Sequence, residues 1–400
     1  MKRIQSYIGI IILLITGQQF SQEFNKDSFL KDYTGDMIIT TQVRGERNKA
    51  ILRGTEADKN RTFVLENYTG IQPSIYPAWD GGFWPKKKPN KLEDFEIETS
   101  FFDELVDWGV ENDFHIMHHC LIFPNKYFPS WFAKTNYSAN ELEFIIEKFI
   151  SEVLNSNDNK NKVDVFNVIN EIFAMGKSGK YRVSGDEKEH CKWMDMGFEK
   201  DMSGLEGLDK INDEHPIFVR KVFDVASKLT DAKLEIRDFN IAFGGKKADG
   251  VYQLIKHLKN TGVRVDAVGF QCHLNAGLNY NYENLRKNIL RFIDLGVEVY
   301  ITELDVGLNL WGQGDNRKKV SDVIKSEADW DWFFEEQNKI YYNLVKTAKE
   351  SGVKIISDWG FRDDIPYGGW RKDQKAWMVN KDYSRKGAYY AVLKALYDAK

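Results

Sequence analysis

From about residue 98 onward the apolar positions switch back and forth between two spacings. Residues 98–113 (ETSFFDELVDWGVEND) place theirs for one face of a helix, whereas 114–123 (FHIMHHCLIF) form an apolar run of strand length. Residues 138–154 open with Ser138 and Glu141, a capping box, and set Leu142, Ile145, Ile146, Phe149 and Val153 on one helical face. Strands are predicted at 163–172, 233–240, 265–274, 297–306 and 353–361, and helices at 216–229, 250–262, 281–296, 330–352 and 384–399. Pro216 suits a first helical turn. Two further strands are expected in the less regular segment before residue 98, around 36–43 and 62–67.

Repeated βα units predict a parallel sheet, and eight of them an α/β fold closed as a (β/α)8 TIM barrel. The runner-up is a doubly wound open sheet. No GxGxxG or Walker-type glycine loop follows the first strands, which counts against it. Residues 84–90 (WPKKKPN) read as a solvated loop, and 174–215 as a long insertion of the kind that shapes a site at a barrel's strand ends. One domain over residues 23–400 is expected.

Composition narrows the function. The chain has 400 residues, 42% of them hydrophobic, and a net charge of -4. Without a basic excess, nucleic acid is not an expected ligand. No internal stretch of 18 apolar residues occurs, so no membrane span is expected in the mature chain. Cys120, Cys191 and Cys272 form no disulfide framework or metal motif and read as buried small hydrophobes. Lys2 and Arg3, the apolar run 7–15 and the polar turn to Ser21 and Gln22 have the pattern of a secretory signal peptide over residues 1–22. An uncleaved anchor is the alternative. Cleavage leaves 54 basic against 60 acidic groups, a net charge of -6, and places the protein outside the cytoplasm, secreted, periplasmic or at the cell surface.

Polar groups collect where the predicted strands end: His118 and His119, Asn170 and Glu171, Asp238 and Asn240, Gln271 and His273, Glu303 and Asp305, then Asp358 and Trp359. In a barrel those ends converge on one site. Glu171 and Glu303 each follow an apolar run and would face each other at the mouth. Two carboxylates across a cleft are the minimal apparatus for cleaving a glycosidic bond, one protonating the leaving oxygen and the other attacking or activating water. Structural carboxylates paired with Arg or Lys are the alternative. His119, His273 and Asp305 could instead supply three metal ligands. Adjacent histidines on a strand point to opposite faces, so one of His118 and His119 faces the site. Flat aromatic rings, plentiful here, stack on sugar faces; Trp359 and Trp370 flank the loop after the last strand.

These segments together resemble glycoside hydrolase family 10, the retaining endo-β-1,4-xylanases with a (β/α)8 barrel. FNVINE (166–171) resembles the family's WDVVNE, YITELDV (300–306) its nucleophile strand, and GFQCHL (269–274) its Gln-x-His strand. RDFN (237–240) resembles NDYN, HHCLIF with FPSWF (118–123, 128–132) resembles GHTLVWH…PSWF, and 358–370 and 377–392 resemble its closing segments. ENYTG (66–70) is a weaker echo of ENEMK.

The resemblance implies Glu171 as acid/base, Glu303 as nucleophile, Asn170 on the sugar's 2-hydroxyl and His273 holding Glu303. It further implies His119 on a neighbouring hydroxyl, Gln271 orienting the site, Trp359 and Trp370 closing over the sugar, and Glu66 and Asn67 on the next sugar. Asp305 and Asn240 are supporting residues. It implies a polysaccharide substrate of the xylan type, no cofactor or metal, and a monomer. Thr69-Gly70 stands in place of the family lysine, and Phe123-Pro124 in place of a Trp-His pair, so the glycone pocket is expected to be rebuilt. Three other functions are compatible with these residues: the same chemistry on another β-linked polysaccharide, an inactive glycan-binding protein, and a metal-dependent hydrolase.

Overall fold

The computed structural model describes residues 23–44, 51–75, 83–124, 128–184, 191–310, 318–363 and 371–399. The expected signal peptide lies outside the described residues. Eight parallel strands close on themselves: β1 (Ile38–Arg44), β2 (Gly70–Ser74), β3 (His115–His118), β4 (Val165–Asn170), β5 (Lys233–Phe239), β6 (Ala267–Gln271), β7 (Glu298–Gly307) and β8 (Ile355–Asp358). Each pairs with the next, and β8 pairs with both β7 and β1. The principal helices following these strands are α1 (Ala57–Asn67), α2 (Ser100–Glu111), α3 (Ala139–Asn155), α4 (Ile217–Leu229), α5 (Lys246–Asn260), α6 (Tyr282–Asp294), α7 (Glu327–Glu350) and α8 (Gly387–Asp398). This is the expected (β/α)8 barrel. Among the described residues, no helix is long and apolar enough to cross a membrane.

The strands read as continuous apolar runs because both their faces are covered. Their outer faces meet the helices in the main core. Their inner faces begin with an apolar floor of Ile38, Met117, Val165, Ala267, Tyr300 and Ile355. Two and four residues further along, the inward positions turn polar: Thr40, Gln42, Gln72, Asn167, Glu235, Arg237 and Thr302 are all fully buried. The barrel therefore carries its polarity well below the mouth.

Ser138 caps α3, accepting from Glu141 N while the Glu141 carboxylate returns to Ser138 N at 2.7 Å, the predicted capping box. The segment 62–67 corrects the sequence reading. It is the end of α1, not a strand, and the second strand starts at Gly70. Ala57, Asn60, Phe63, Val64 and Asn67 are buried at helical spacing, whereas β2 (GIQPS) hides behind an inward Gln72 and a Pro73. The 84–90 loop needs a second correction. Trp84 is buried, 4.6 Å from the Phe95 ring and 4.7 Å from Phe128.

The long insertion after β4 folds back on the barrel. Phe198–Lys200 pairs antiparallel with Glu214–Pro216. His215 Nε2 meets Asp201 at 2.8 Å and His257 Nε2, from α5, meets Glu199 at 2.9 Å. His257 Nδ1 accepts from Met202 N, and Arg220 reaches Glu199 at 2.8 Å. Asp201, His215 and His257 lie close enough to hold an ion, but these atoms are already matched donor to acceptor, and the cluster serves to fasten the insertion to α4 and α5.

Candidate active site

The strand ends bring most of the predicted residues together. Glu303 lies on β7 beside a register shift between Ile301 and Leu304 and is buried. Its Oε2 is 2.9 Å from His273 Nε2, and its Oε1 is 3.2 Å from Arg237 Nη1. His273 Nδ1 meets Asp305 Oδ2 at 2.9 Å. Burial works against charge on His273, but the Asp305 and Glu303 carboxylates outweigh it and raise the imidazole to about 9. The ring is therefore an imidazolium near neutral pH and offers no lone pair to a metal. Burial works to raise Asp305, yet Arg371 and His273 hold its carboxyl below the ordinary value. Arg371 grips Asp305 Oδ1 through Nε at 2.9 Å and Nη2 at 2.6 Å. The result is a line of alternating charge: Glu303, His273, Asp305, Arg371.

Glu171 follows β4 with a φ of +53°, a left-handed conformation uncommon outside glycine. Its backbone is tied on both sides: its N–H donates to Arg237 O at 3.0 Å, and its carbonyl accepts from Arg182 Nε at 2.7 Å. Its carboxylate accepts from Gln271 Nε2 at 3.2 Å and lies 3.7 Å from Arg182 Nη2. Gln271 Nε2 also reaches Asn170 Oδ1 at 3.2 Å. Asn170 is fully buried, and its Nδ2 has no partner among the described residues.

His119 faces inward and His118 outward, as strand alternation requires. His118 packs on the Phe102 ring at 4.7 Å, and burial takes its imidazole down to about 3. Arg237 Nη1 lies 2.9 Å from His119 Nδ1. Arginine has no acceptor, so Nδ1 accepts and the ring proton sits on Nε2. Trp359 is buried edge-on to His119 (5.3 Å) and His273 (5.7 Å), walling the site rather than capping it. Asn240 is exposed just past β5 with a φ of +56°. Trp370 lies outside the described residues.

Two predicted binding residues are displaced. Glu66 and Asn67 end α1, ahead of β2 and at the opposite end of the barrel. Glu66 is exposed there, and Asn67 is buried, bonded to Phe63 O at 2.8 Å and Tyr389 OH at 2.5 Å. Thr69 and Gly70 go with them, so that substitution says nothing about the glycone pocket. The strand end facing the site is Ser74, which bridges to His119. Phe123 does lie close to the site, with its ring 6.1 Å from that of His119. Sequence reasoning missed Arg237, Glu235, Arg182 and Arg371. A charged residue inside an apolar strand run was the available signal for the first two; the others come from loops and carried none.

A closed parallel barrel with a pair of carboxylates held at its strand ends defines a class of hydrolytic enzyme. Residues 85–395 match the model of Glycosyl hydrolase family 10, and the chain belongs to that family; it is a glycoside hydrolase. It is 27% identical over 341 residues to endo-1,4-beta-xylanase B of Thermotoga neapolitana, covering 84% of this chain and 83% of that enzyme. Against endo-1,4-beta-xylanase A of Thermoanaerobacterium saccharolyticum it is 25% identical over 76% of its length, but spans only 24% of that larger protein. The crystal structure of xylanase 10B from Thermotoga maritima shares the fold, with a TM-score of 0.70 at 24% identity over 92% of this chain and 98% of that one.

Proposed function

We propose that the protein is an exported endo-β-1,4-xylanase that cleaves xylan, plain or decorated, with retention of anomeric configuration. The observation that carries this reading is the placement of Gln271 and His273. They stand two residues apart, about 7 Å along an extended chain, and each holds one carboxylate: Gln271 that of Glu171, His273 that of Glu303. Donors so close favour a carboxyl separation near the retaining value of about 5–5.5 Å, leaving no room for water behind the sugar. The names of the relatives point to xylan as substrate.

In this reading a Glu303 oxygen attacks the anomeric carbon. The glycosidic bond breaks toward the leaving oxygen, which Glu171 protonates. Glu171 then takes a proton from water as that water attacks the same carbon, and the bond to Glu303 breaks with its electron pair returning to the carboxylate. Asn170 Nδ2 is the donor for the 2-hydroxyl. Export rests on the basic and apolar pattern of residues 1–22.

The test is product analysis on plain, arabinosylated and glucuronosylated xylans, mixed-linkage xylan, glucan and mannan, comparing wild type with Glu303→Ala, with the product anomer followed by NMR. Short β-configured xylo-oligosaccharides from wild type alone are expected. Silence on every xylan with turnover of another β-glycan would establish the second reading, which Phe123 and Pro124 beside the site favour. The mass of the mature protein from the culture fluid or periplasm tests export.

A further inference from the structure

The feature of this site that the family pattern does not contain is Arg237. It stands where the RDFN segment departs from NDYN. An arginine there could be an accident of the strand, but four observations show that it is built in. It is fully buried inside the barrel. Glu235, also fully buried, binds it two-pronged, Oε1 to Nε at 2.8 Å and Oε2 to Nη2 at 2.9 Å. Room for the Glu235 carboxylate exists because β6 carries Gly269 alongside; a Cβ there would overlap Glu235 Oε1. The nitrogen that remains, Nη1, points to the site, 3.2 Å from Glu303 Oε1 and 2.9 Å from His119 Nδ1.

A planar guanidinium held on two of its nitrogens has its third direction fixed, which a lysine cannot reproduce. Glu303 is thereby held through both oxygens, Oε2 by the His273 imidazolium and Oε1 by Arg237. Charge on those oxygens changes in opposite senses in the two chemical steps. It is lost as the lone pair bonds the anomeric carbon and regained as water displaces the carboxylate. A donor on Oε1 therefore opposes the first step and assists the second.

We propose that Arg237, oriented by Glu235, is a positioning residue that makes Glu303 a better leaving group and so makes release of the covalent sugar the fast half of the reaction. The proposal rests on the retaining reading above. It accounts together for the buried ion pair, for the glycine that accommodates it, and for the tautomer it imposes on His119.

The experiment uses dinitrophenyl β-xylobioside, whose activated leaving group needs little help in the first step. Glu235→Gln/Arg237→Gln removes the pair without stranding a charge, and Arg237→Lys keeps the ion pair and loses the fork. Expected in both is a fall of kcat and KM together, about tenfold or more in the double variant, with kcat/KM held or raised, a burst of dinitrophenol, and covalent glycosyl-enzyme in the intact mass spectrum. A merely structural role would lower kcat and kcat/KM together with no adduct, and that result overturns the proposal. If the double variant does not fold, Arg237→Lys decides by the same split. Wild type that releases no dinitrophenol overturns the retaining reading and this proposal with it; turnover by wild type without the split in the variants overturns the proposal alone.

Discussion

Arg371 places two N–H groups on a single oxygen of Asp305, Nε at 2.9 Å and Nη2 at 2.6 Å, with both side chains buried. The same guanidinium binds Asn275 Oδ1 at 2.8 Å and Leu274 O at 2.6 Å, joining the loop after β8 to the ends of β6 and β7. Arg371→Met would leave the Asp305 carboxylate buried against one partner instead of two. A loss of about 3–5 kcal/mol in denaturant unfolding is expected. Asp305→Asn/Arg371→Met, which removes the charge as well, should recover part of it. Equal loss in the single and double variants would reject the argument.

Stability should fall as pH rises from about 5 to 9, for two reasons with the same sign. Burial raises the Asp358 carboxyl to about 7, despite hydrogen bonds from Thr41 and Tyr68. Its folded value lies above the unfolded value of about 3.9, so the folded state binds the proton more tightly, and stability is lost as pH rises through that interval, by about 3 to 4 kcal/mol. His273, raised to about 9, contributes stability fully present below about 6.5 and lost as pH rises through 9, about 3 kcal/mol. Melting temperature measured across pH 4–10 should decline in two stages, and His273→Gln should flatten the upper one.

Arg182 holds the carbonyl of Glu171 at 2.7 Å while its other end lies 3.7 Å from the Glu171 carboxylate. Glu171 keeps a left-handed backbone that its surroundings must enforce. Arg182→Met should lower kcat about tenfold or more by loosening the placement of that carboxylate, without matching loss in xylan affinity. An unchanged kcat with an intact fold would show that the backbone ties from β5 suffice.

Gly269 bears on the catalytic strand from inside the barrel. In Gly269→Ala, a methyl group meets Glu235 Oε1 and Thr302 Cγ2. About 1–3 kcal/mol of destabilisation is expected from overpacking, with a rise in KM or fall in kcat as Arg237 shifts. Calorimetry and steady-state kinetics on the same preparation read both.

Much of the site was legible because catalysis at a barrel mouth writes itself at strand ends. Asn170-Glu171, Gln271-x-His273 and Glu303-x-Asp305 each break an apolar run at its last residues, and neighbours on one strand cannot drift apart in space. The failures have an equally physical cause. Glu66 and Asn67 were read on a strand because a short apolar run fits either period, and the structure spends it on α1. β2 stayed hidden because its inward residue is Gln72 and its fourth is Pro73.

The order of strands and helices, the capping box at Ser138, the inward turn of His119 and the pairing of Glu171 with Glu303 in one site follow from local pattern alone, since periods of 2 and 3.6 decide which side chains share a face. Which charges meet did not follow. That Arg237 turns from Glu235 to Glu303, that Arg371 crosses 66 positions to reach Asp305, and that Arg182 comes out of the insertion to hold Glu171 were decided by closure of the barrel. A buried charge is stable only beside its partner, and the partner is supplied by whichever element the tertiary fold brings within reach.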